Sequence, residues 1–209
     1  MQRCTIINFP CRTEQSIPER AMPKRLKNSR YRSREYLTQE EVEQLINSAR
    51  TVGRHGHRDA TLIMLAYRHG LRVTELVSLC WDQIDLGQAL MHINRIKRGT
   101  PSVHPLRPPE IDALKELKRD VNKGFVFCSE RGGELSADAF RKIIARAGMV
   151  AGLSFSVHPH MLRHACGYKL AQAGQDTRAI QHYLGHRNIQ HTVRYTHLSA
   201  ERFRNFWND

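Results

Sequence analysis

The stretch from His158 to Tyr195 brings together arginine, histidine and tyrosine residues whose side chains suit chemistry on a phosphate. An arginine guanidinium donates to two phosphate oxygens at once and keeps its charge at any working pH. A histidine donates hydrogen bonds or transfers protons near neutrality. A tyrosine hydroxyl can act as a covalent nucleophile when neighbouring positive charge lowers its pKa from about 10. The residues concerned are His160, Arg163, His164, His186, Arg194 and Tyr195.

The spacing at the start of this stretch predicts a helix that carries the first pair. His160 and Arg163 are three residues apart, so on a helix they share a face. Pro159 suits the first position of a helix, where its missing N–H is not needed. Gly174 is a typical residue at which such a helix ends.

Two shorter helices are predicted to follow. Asp176 is a typical N-cap and Gly185 a typical stop, which indicates a helix over 177–184 with His186 facing a pocket at its end. Asn188 would cap a further short helix that carries the tyrosine.

Two basic residues earlier in the chain have both a catalytic and an ordinary structural interpretation. Arg72 follows the glycine break at Gly70 and begins a new helix, so its side chain either points into a cleft or forms a salt bridge to Glu75. Lys97 falls at the edge of a predicted β-hairpin, where a lysine is either catalytic or a solvated surface charge.

The remaining periodicity predicts an α+β fold that is mostly helical, with a small three-stranded antiparallel sheet. Thr38 and Glu41 form a capping-box pattern, and Ser136 is a second N-cap candidate. The predicted helices are 39–50, 57–69, the segment from Arg72 to about Leu79, 109–121 and 137–147, and the predicted strands are 89–93, 94–97 and 101–106.

Composition favours a globular protein with a polyanionic partner. The 209 residues include 33 Lys and Arg against 20 Asp and Glu, a formal net charge of +13 that indicates nucleic acid or, alternatively, a generally basic protein. No apolar run is long enough to span a membrane, and no secretion signal is recognisable at the start of the sequence. Five cysteines without a CxxC pair indicate free thiols in a reducing compartment.

The charge is concentrated in residues 1–35, which hold nine Lys and Arg against three Glu. This segment is interpreted as a basic, flexible N-terminal arm that orders against DNA phosphates or only aids solubility. Residues 36–209 are interpreted as one catalytic domain.

The motifs GLRVTEL, RIKRGTPSVHPL, HPHMLRHACG, YLGHRN and HTVRYTH, in this order and spacing, resemble the signature of the tyrosine recombinases, the phage integrase family. The resemblance covers roughly residues 36–209. Within that family, HPHMLRHACG, DTRAIQHYLGHRNIQHTVRYT and the AERF ending are similar to the fimbrial phase-variation invertases, which flip a promoter-bearing DNA segment. The resemblance therefore implies a site-specific recombinase that acts in DNA inversion, phase variation and transcription regulation.

The resemblance also implies roles for individual residues. Tyr195 would attack a DNA phosphodiester to form a 3′-phosphotyrosyl bond, while Arg72 and Arg163 stabilise the charge that builds on the phosphate oxygens. His186 would add a donor and His160 would take or hold the tyrosyl proton. The remaining roles are protonation of the leaving 5′-oxygen by Lys97, orientation of the first arginine by Glu75, and DNA contact by Arg98, Arg141, Lys142 and Arg194.

No metal or nucleotide cofactor is expected, because the phosphotyrosine conserves the energy of the broken bond. The expected partner is double-stranded DNA with inverted-repeat sites, bound in the cytoplasm at the nucleoid by a homotetramer on two sites. Without DNA we expect a monomer or a weak oligomer. Phe203, Phe206 and Trp207 would either pack into a neighbouring subunit or cover the chain's own core. The long N-terminal domain that most of the family uses to clamp DNA is not recognisable in the sequence.

Three other functions remain open from the sequence. His158, His160 and His164 have spacing that can bind zinc, as in a metal hydrolase, although no carboxylate accompanies them in the helical zinc-protease pattern. A DNA-binding transcription regulator could retain the fold without cutting. Within the recombinases, the sequence does not separate inversion from integration, excision or resolution.

Overall fold

A computed structural model of the chain describes residues 34–95, 101–120 and 124–196. The described part is mostly helical with one small three-stranded antiparallel sheet, as the sequence predicts. Its helices are α1 Gln39–Thr51, α2 Gly56–Arg68, α3 Val73–Val77, α4 Pro108–Asp120, α5 Ala137–Val150, α6 Pro159–Gln172, α7 Thr177–Leu184 and α8 Gln190–Thr196, with a 3-10 turn at Trp81–Gln83 and the strands β1 Ile84–Asp85, β2 Leu90–Ile93 and β3 Ser102–Pro105.

Helix α1 begins where the sequence predicts. The Thr38 hydroxyl accepts from the backbone N–H of Glu41, and the Glu41 carboxylate accepts from the N–H of Thr38 at 2.8 Å. This reciprocal pair satisfies two backbone donors that the helix cannot satisfy itself. The apolar face that follows buries Val42, Leu45 and Ala49 against helix α2.

Helix α2 is the centre of the core. Its residues from Ala60 to Ala66 are all buried, and it packs against α1, α4 and α6. It ends at Arg68, and two residues later Gly70, with a left-handed φ of +56°, turns the chain toward the start of α3. A Cβ at this glycine would lie 2.3 Å from a methyl carbon of Leu184, so glycine is needed for space as well as for conformation.

The sheet is antiparallel in the order β1–β2–β3, and it corrects the predicted strands. Ile84 pairs with Met91, and Ile93 pairs with Ser102. The strand predicted over 94–97 is wrong for Asn94 and Arg95, which leave the sheet. The first strand lies instead before the turn at 86–89, a two-residue segment too short for its alternation to be recognised in the sequence.

The last three helices carry the stretch rich in histidine and arginine, with the boundaries that the sequence predicts. Pro159 opens α6, and Asp176 accepts at 2.7 Å from the backbone N–H of Arg178 to cap α7. Gly185 then closes α7 with a φ of +63°. Asn188 accepts at 2.9 Å from the N–H of Gln190, the first residue of α8.

The ends of two helices differ from the predicted ones. Helix α3 ends at Val77 instead of near Leu79, and α5 continues to Val150 beyond the predicted 147. Ser136 caps α5 as predicted, with its hydroxyl 3.0 Å from the N–H of Ala139. Within the three described segments, no helix combines the length and the apolar character needed to cross a bilayer.

Candidate active site

Arg163 is buried on α6 and held by main-chain carbonyl groups. Its guanidinium donates to the carbonyl oxygen of Gly70 and, at 2.6 Å, to that of Leu184. The side chain is almost fully enclosed, and this burial, followed by the repulsion of Arg72, lowers the pKa of Arg163 to about 10. The group is still charged at neutral pH, so the site contains a fixed, poorly hydrated cation.

Arg72 lies beside Arg163 and contacts the next residue of the same loop. Its guanidinium donates to the carbonyl of Gly185 at 3.2 Å and to the carboxylate of Glu75 at 2.7 Å. The salt bridge that was the alternative interpretation of Arg72 is therefore present, yet about a quarter of the side chain remains exposed. Leu184 and Gly185 are consecutive residues, so the two guanidinium groups converge on one side of the molecule.

Glu75 has the geometry of an orienting carboxylate. It is buried, and its second oxygen accepts at 3.0 Å from the backbone N–H of Arg72. Burial alone would raise the pKa of Glu75, but the hydrogen bond from the Arg72 N–H and the charges of Arg95 and Arg72 outweigh it and lower the pKa. The carboxylate is ionised and fully engaged, so its contacts hold Arg72 in place.

His186 lies at the mouth of an open pocket of about 580 Å³ that Arg72 also lines. Its Nδ1 is 2.9 Å from the hydroxyl of Thr192 on α8. Burial, then the charges of Arg163 and Arg72, lower the pKa of His186 to about 3, so the imidazole is neutral at physiological pH. The other lining residues of the pocket are Arg178, Gln181, Arg187, Asn188, Ile189 and His191.

Tyr195 reaches the same cluster from α8, but in a buried position. Only 2% of the residue is exposed, and its ring stacks on that of His186 with centroids 6.2 Å apart. Gly167 leaves room for the ring, since a Cβ there would lie 2.6 Å from Cε2 of Tyr195. Burial raises the pKa of Tyr195 to about 12 and outweighs the opposing charges of Arg163 and Arg194. The nearby guanidinium groups do favour the phenolate, as expected, but burial has the larger effect and Tyr195 stays protonated in this arrangement.

The hydroxyl of Tyr195 is hydrogen-bonded to His164, a contact that the helical spacing did not predict. Nδ1 of His164 lies 2.8 Å from the hydroxyl oxygen. Burial, then the charge of Arg194, lower the pKa of His164 to about 4, so its neutral ring can accept the tyrosyl hydrogen bond. His160 is exposed on the preceding turn, with its ring centroid 6.2 Å from that of His164. The spacing of four residues placed both histidines on one helical face but did not say which one meets the tyrosine.

The residues predicted to contact DNA are partly described. Arg141 is exposed and paired with Asp138, and Lys142 lines a cleft on the same helix. Arg194 has its guanidinium carbon 5.9 Å from the centre of the Tyr195 ring and lies 3.6 Å from Glu35. Lys97, Arg98, Phe203, Phe206 and Trp207 lie outside the described residues.

The chain also matches a known family. The profile described as "Phage integrase family" matches residues 35–202, most of the sequence. This chain belongs to the phage integrase family. Its members are the tyrosine recombinases, and the mostly helical fold with its small sheet is that of their catalytic domain.

Two similar relatives within this family carry fimbrial names. The type 1 fimbriae regulatory protein FimE of Escherichia coli K12 is 48% identical over 181 residues, which cover 83% of this chain and 91% of FimE. FimB of the same strain is 44% identical over 180 residues, covering 83% of this chain and 90% of FimB. The tyrosine recombinase XerD of Pseudomonas putida is 32% identical over 173 residues, which cover 79% of this chain and 58% of XerD.

Solved structures of the family share the fold. The XerA recombinase superposes with a TM-score of 0.70 and 26% identity, over 81% of this chain and 62% of XerA. The XerH site-specific recombinase bound to palindromic difH substrate, in a post-cleavage complex, superposes with a TM-score of 0.69 and 26% identity, over 80% of this chain and 51% of XerH. The chain thus spans less than two thirds of these longer recombinases.

Metal ligands were one alternative that the sequence left open. Among the described residues, no three His, Cys, Asp or Glu side chains are grouped so that they could hold a metal ion.

Proposed function

We propose that this tyrosine recombinase inverts a DNA segment flanked by inverted repeats and so switches expression of fimbrial or other surface genes. The sequence is 48% identical to FimE and 44% identical to FimB, over 91% and 90% of their lengths, and this similarity supports a role in switching fimbrial genes. The observation that supports cleavage is the placement of Arg72 and Arg163 on consecutive loop carbonyls, beside the ring that stacks on Tyr195.

In the proposed mechanism, the Tyr195 oxygen attacks the scissile phosphorus and the 5′-oxygen of the next nucleotide leaves. The product is a 3′-phosphotyrosyl ester and a free 5′-hydroxyl, and the reverse attack by a 5′-hydroxyl rejoins the strands. Arg72 and Arg163 donate to the non-bridging oxygens, where charge increases as phosphorus becomes five-coordinate. Both cations are held in place by hydrogen bonds to the fold, and Arg163 is also almost fully desolvated, so little reorganisation is needed during the reaction.

The reaction also needs one proton removed from the Tyr195 hydroxyl and one delivered to the leaving 5′-oxygen. Lys97 is proposed to protonate the leaving 5′-oxygen, and His186 to donate a hydrogen bond to the phosphate while its Nδ1 faces Thr192. His160 is proposed to take or hold the proton that Tyr195 loses, once the tyrosine has left its bond to His164. The buried tyrosine is proposed to move toward the phosphate for attack, and because α8 is only seven residues long, such a movement involves about two helical turns.

The proposed assembly is four copies of the chain on two DNA sites, with the basic arm at residues 1–35 and Arg98, Arg141, Lys142 and Arg194 against the DNA backbone. The net charge of +13 supports this partner, since neutralised phosphates release counterions. We further propose that the protein acts in the cytoplasm, at the nucleoid. Integration or excision is the alternative reaction for the same site, and the relative orientation of the two repeats distinguishes it from inversion.

The test uses the inverted repeats that flank the gene in its own genome, prepared as a nicked duplex so that the released 5′ fragment diffuses away. We expect the wild-type protein to form a covalent protein–DNA band under denaturing conditions, and Tyr195→Phe to form none. Tyr195→Phe should keep the fold, at a cost of about 1 kcal/mol for the hydrogen bond to His164. Absence of the band with the wild type, or its persistence in Tyr195→Phe, would contradict the recombinase mechanism.

A further inference from the structure

Arg95 is a buried arginine to which neither the motifs nor the relatives assign a role. It follows β2, and 0% of its side chain is exposed. Burying a guanidinium costs several kcal/mol unless charged and polar partners surround it. Burial lowers the pKa of Arg95, and the charge of Glu75 opposes this effect. An arginine kept in such a position needs a structural or functional explanation.

Arg95 shares a carboxylate with Arg72. Its Nη1 donates to Oε2 of Glu75 at 2.8 Å, while the other oxygen, Oε1, accepts from Nη1 of Arg72 at 2.7 Å. Glu75 therefore bridges two guanidinium groups, of which one is enclosed and the other faces the pocket. The enclosed group fixes the rotation of the carboxylate, and the carboxylate in turn fixes the exposed guanidinium.

Arg95 also supports the second anchor of Arg72. Its Nη2 donates to the carbonyl of Tyr183 at 2.5 Å, two residues before Gly185. A Cβ at Gly185 would lie 2.6 Å from Nε of Arg95, so the loop backbone packs directly on this side chain. The carbonyl of Gly185 is the acceptor for Nη2 of Arg72. Both groups that hold Arg72 thus rest on Arg95.

The far side of Arg95 continues into a buried polar row. Its Nη2 lies 3.3 Å from the Ser102 hydroxyl, which is 3.1 Å from Nε2 of His104. Nδ1 of His104 is 3.1 Å from Nδ1 of His69, whose Nε2 lies 2.8 Å from the carboxylate of Glu110. This row connects Arg95 to strand β3, to the end of α2 and to α4, so the arginine cannot shift without disturbing three elements.

We propose that Arg95 is a positioning residue that sets the location and orientation of the Arg72 guanidinium at the scissile phosphate. This inference rests on the proposed role of Arg72 in strand cleavage. Arg95 does not touch the DNA. A misplacement of a catalytic group by about 1 Å can reduce a rate about 100-fold, so a modest change at Arg95 should be visible in cleavage.

The test compares Arg95→Lys with the wild type in single-turnover cleavage at saturating protein, on two versions of the nicked duplex. One carries the ordinary phosphodiester, and the other carries a methylphosphonate at the scissile position, which lacks the negative charge that Arg72 is proposed to stabilise. Lysine keeps the charge, but its single Nζ cannot reach both Glu75 and the Tyr183 carbonyl in the geometry of the fork.

We expect Arg95→Lys to cleave the phosphodiester roughly 10- to 100-fold more slowly, and the methylphosphonate at a rate within about threefold of the wild type. Arg72→Ala should show the same pattern with a larger loss. Arg58→Lys is the matched control, since Arg58 is also largely buried on a carboxylate and a carbonyl, those of Asp59 and Cys128. It should leave both rates unchanged.

An unchanged phosphodiester rate in Arg95→Lys would overturn the proposal, and so would equal losses on both substrates, which indicate a general loss of structure. If Arg95→Lys does not fold, the same comparison is made with Ser102→Ala, which removes only one of the three hydrogen-bond acceptors of the Arg95 guanidinium. Its loss must again be confined to the phosphodiester, and an unchanged rate or equal losses overturn the proposal. Failure of the recombinase mechanism itself appears separately, as a wild type that forms no covalent band.

Discussion

Tyr195, the proposed nucleophile, is buried away from solvent in this structure. Its hydroxyl is bonded to His164, its ring lies on Gly167, and its pKa is raised to about 12. A protonated, enclosed phenol is a poor nucleophile, so a protein in this state is protected from unwanted attack on passing phosphodiesters. Reactivity then depends on bringing the hydroxyl out to the two guanidinium groups.

Gly167→Ala tests how tightly the tyrosine is held. The added methyl would lie 2.6 to 2.8 Å from three ring atoms, so either the ring or the backbone of α6 must move. We expect a loss of about 1–3 kcal/mol in the free energy of unfolding, with faster amide hydrogen exchange in α8. Gly133→Ala is the control, because a Cβ there meets nothing within 4 Å and its stability should be nearly unchanged. Equal stabilities of the two variants would contradict the packing described.

At the scale of residues, the sequence predicted which side chains lie together better than it predicted their individual contacts. The types and spacing of Arg72, Arg163, His186 and Tyr195 indicated a phosphate site, and the structure brings these four together. Arg95 was missed because it lies in a predicted strand beside Lys97 and Arg98, where the sequence does not distinguish a buried arginine from a solvated one. The partner of the tyrosine was missed because helical spacing aligns His160 and His164 equally, and the approach of α8 is a tertiary property.

At the scale of elements, the residues that cap helix α7 determine where the loop that binds Arg72 and Arg163 lies. Asp176 begins α7 and Gly185 ends it, and the carbonyls of Leu184 and Gly185 at its end bind Arg163 and Arg72. Such caps are local and depend on one or two residues, so they could be predicted from the sequence. The short strand β1 could not, because its pairing with β2 depends on a turn and not on its own alternation.

Asp176→Ala should loosen this helix. The carboxylate accepts at 2.7 and 3.2 Å from two backbone N–H groups, and its removal leaves both donors without a helical partner. We expect a loss of about 1 kcal/mol, with faster amide exchange in α7 than in α5. Asp138→Ala, an exposed position in the first turn of α5, should change stability by less than about 0.5 kcal/mol. A smaller loss at Asp176 than at Asp138 would contradict the capping role.

At the scale of the whole molecule, one buried histidine, His104, and two half-buried ones, His164 and His186, make folding sensitive to acid. Burial lowers the pKa of His104, with a further contribution from His69, to about 3. The corresponding values are about 4 for His164 and about 3 for His186. Each lies below the unfolded value of about 6.5, so the unfolded chain binds more protons between these limits and acid favours unfolding.

Stability should therefore be highest above pH 6.5 and fall as the pH drops toward 4. Each of the three histidines contributes a slope of about 1.4 kcal/mol per pH unit in that window. Glu75 and Glu110, whose pKa values are lowered, add to the loss only below about pH 4.5. Urea unfolding at pH 7.5, 6.0 and 5.0 measures the change of unfolding free energy with pH. His104→Asn should lower this slope by the contribution of one histidine, about 1.4 kcal/mol per pH unit. A flat profile from pH 7.5 to 5.0 would show that these rings are not buried as described.

Arg72 and Arg163, the two arginines proposed to act in catalysis, donate hydrogen bonds to main-chain oxygens of Gly70, Leu184 and Gly185. Every amino acid supplies the same oxygen, so where the backbone conformation permits, exchanging a side chain in this loop leaves the seat intact. Adding or deleting one residue would instead shift the oxygens by several ångströms relative to both cations. Gly185, His186 and Asn188 have side-chain or backbone requirements of their own, but elsewhere in the loop between α7 and α8, as at the exposed Arg187, a substitution should be tolerated far more readily than an insertion or deletion.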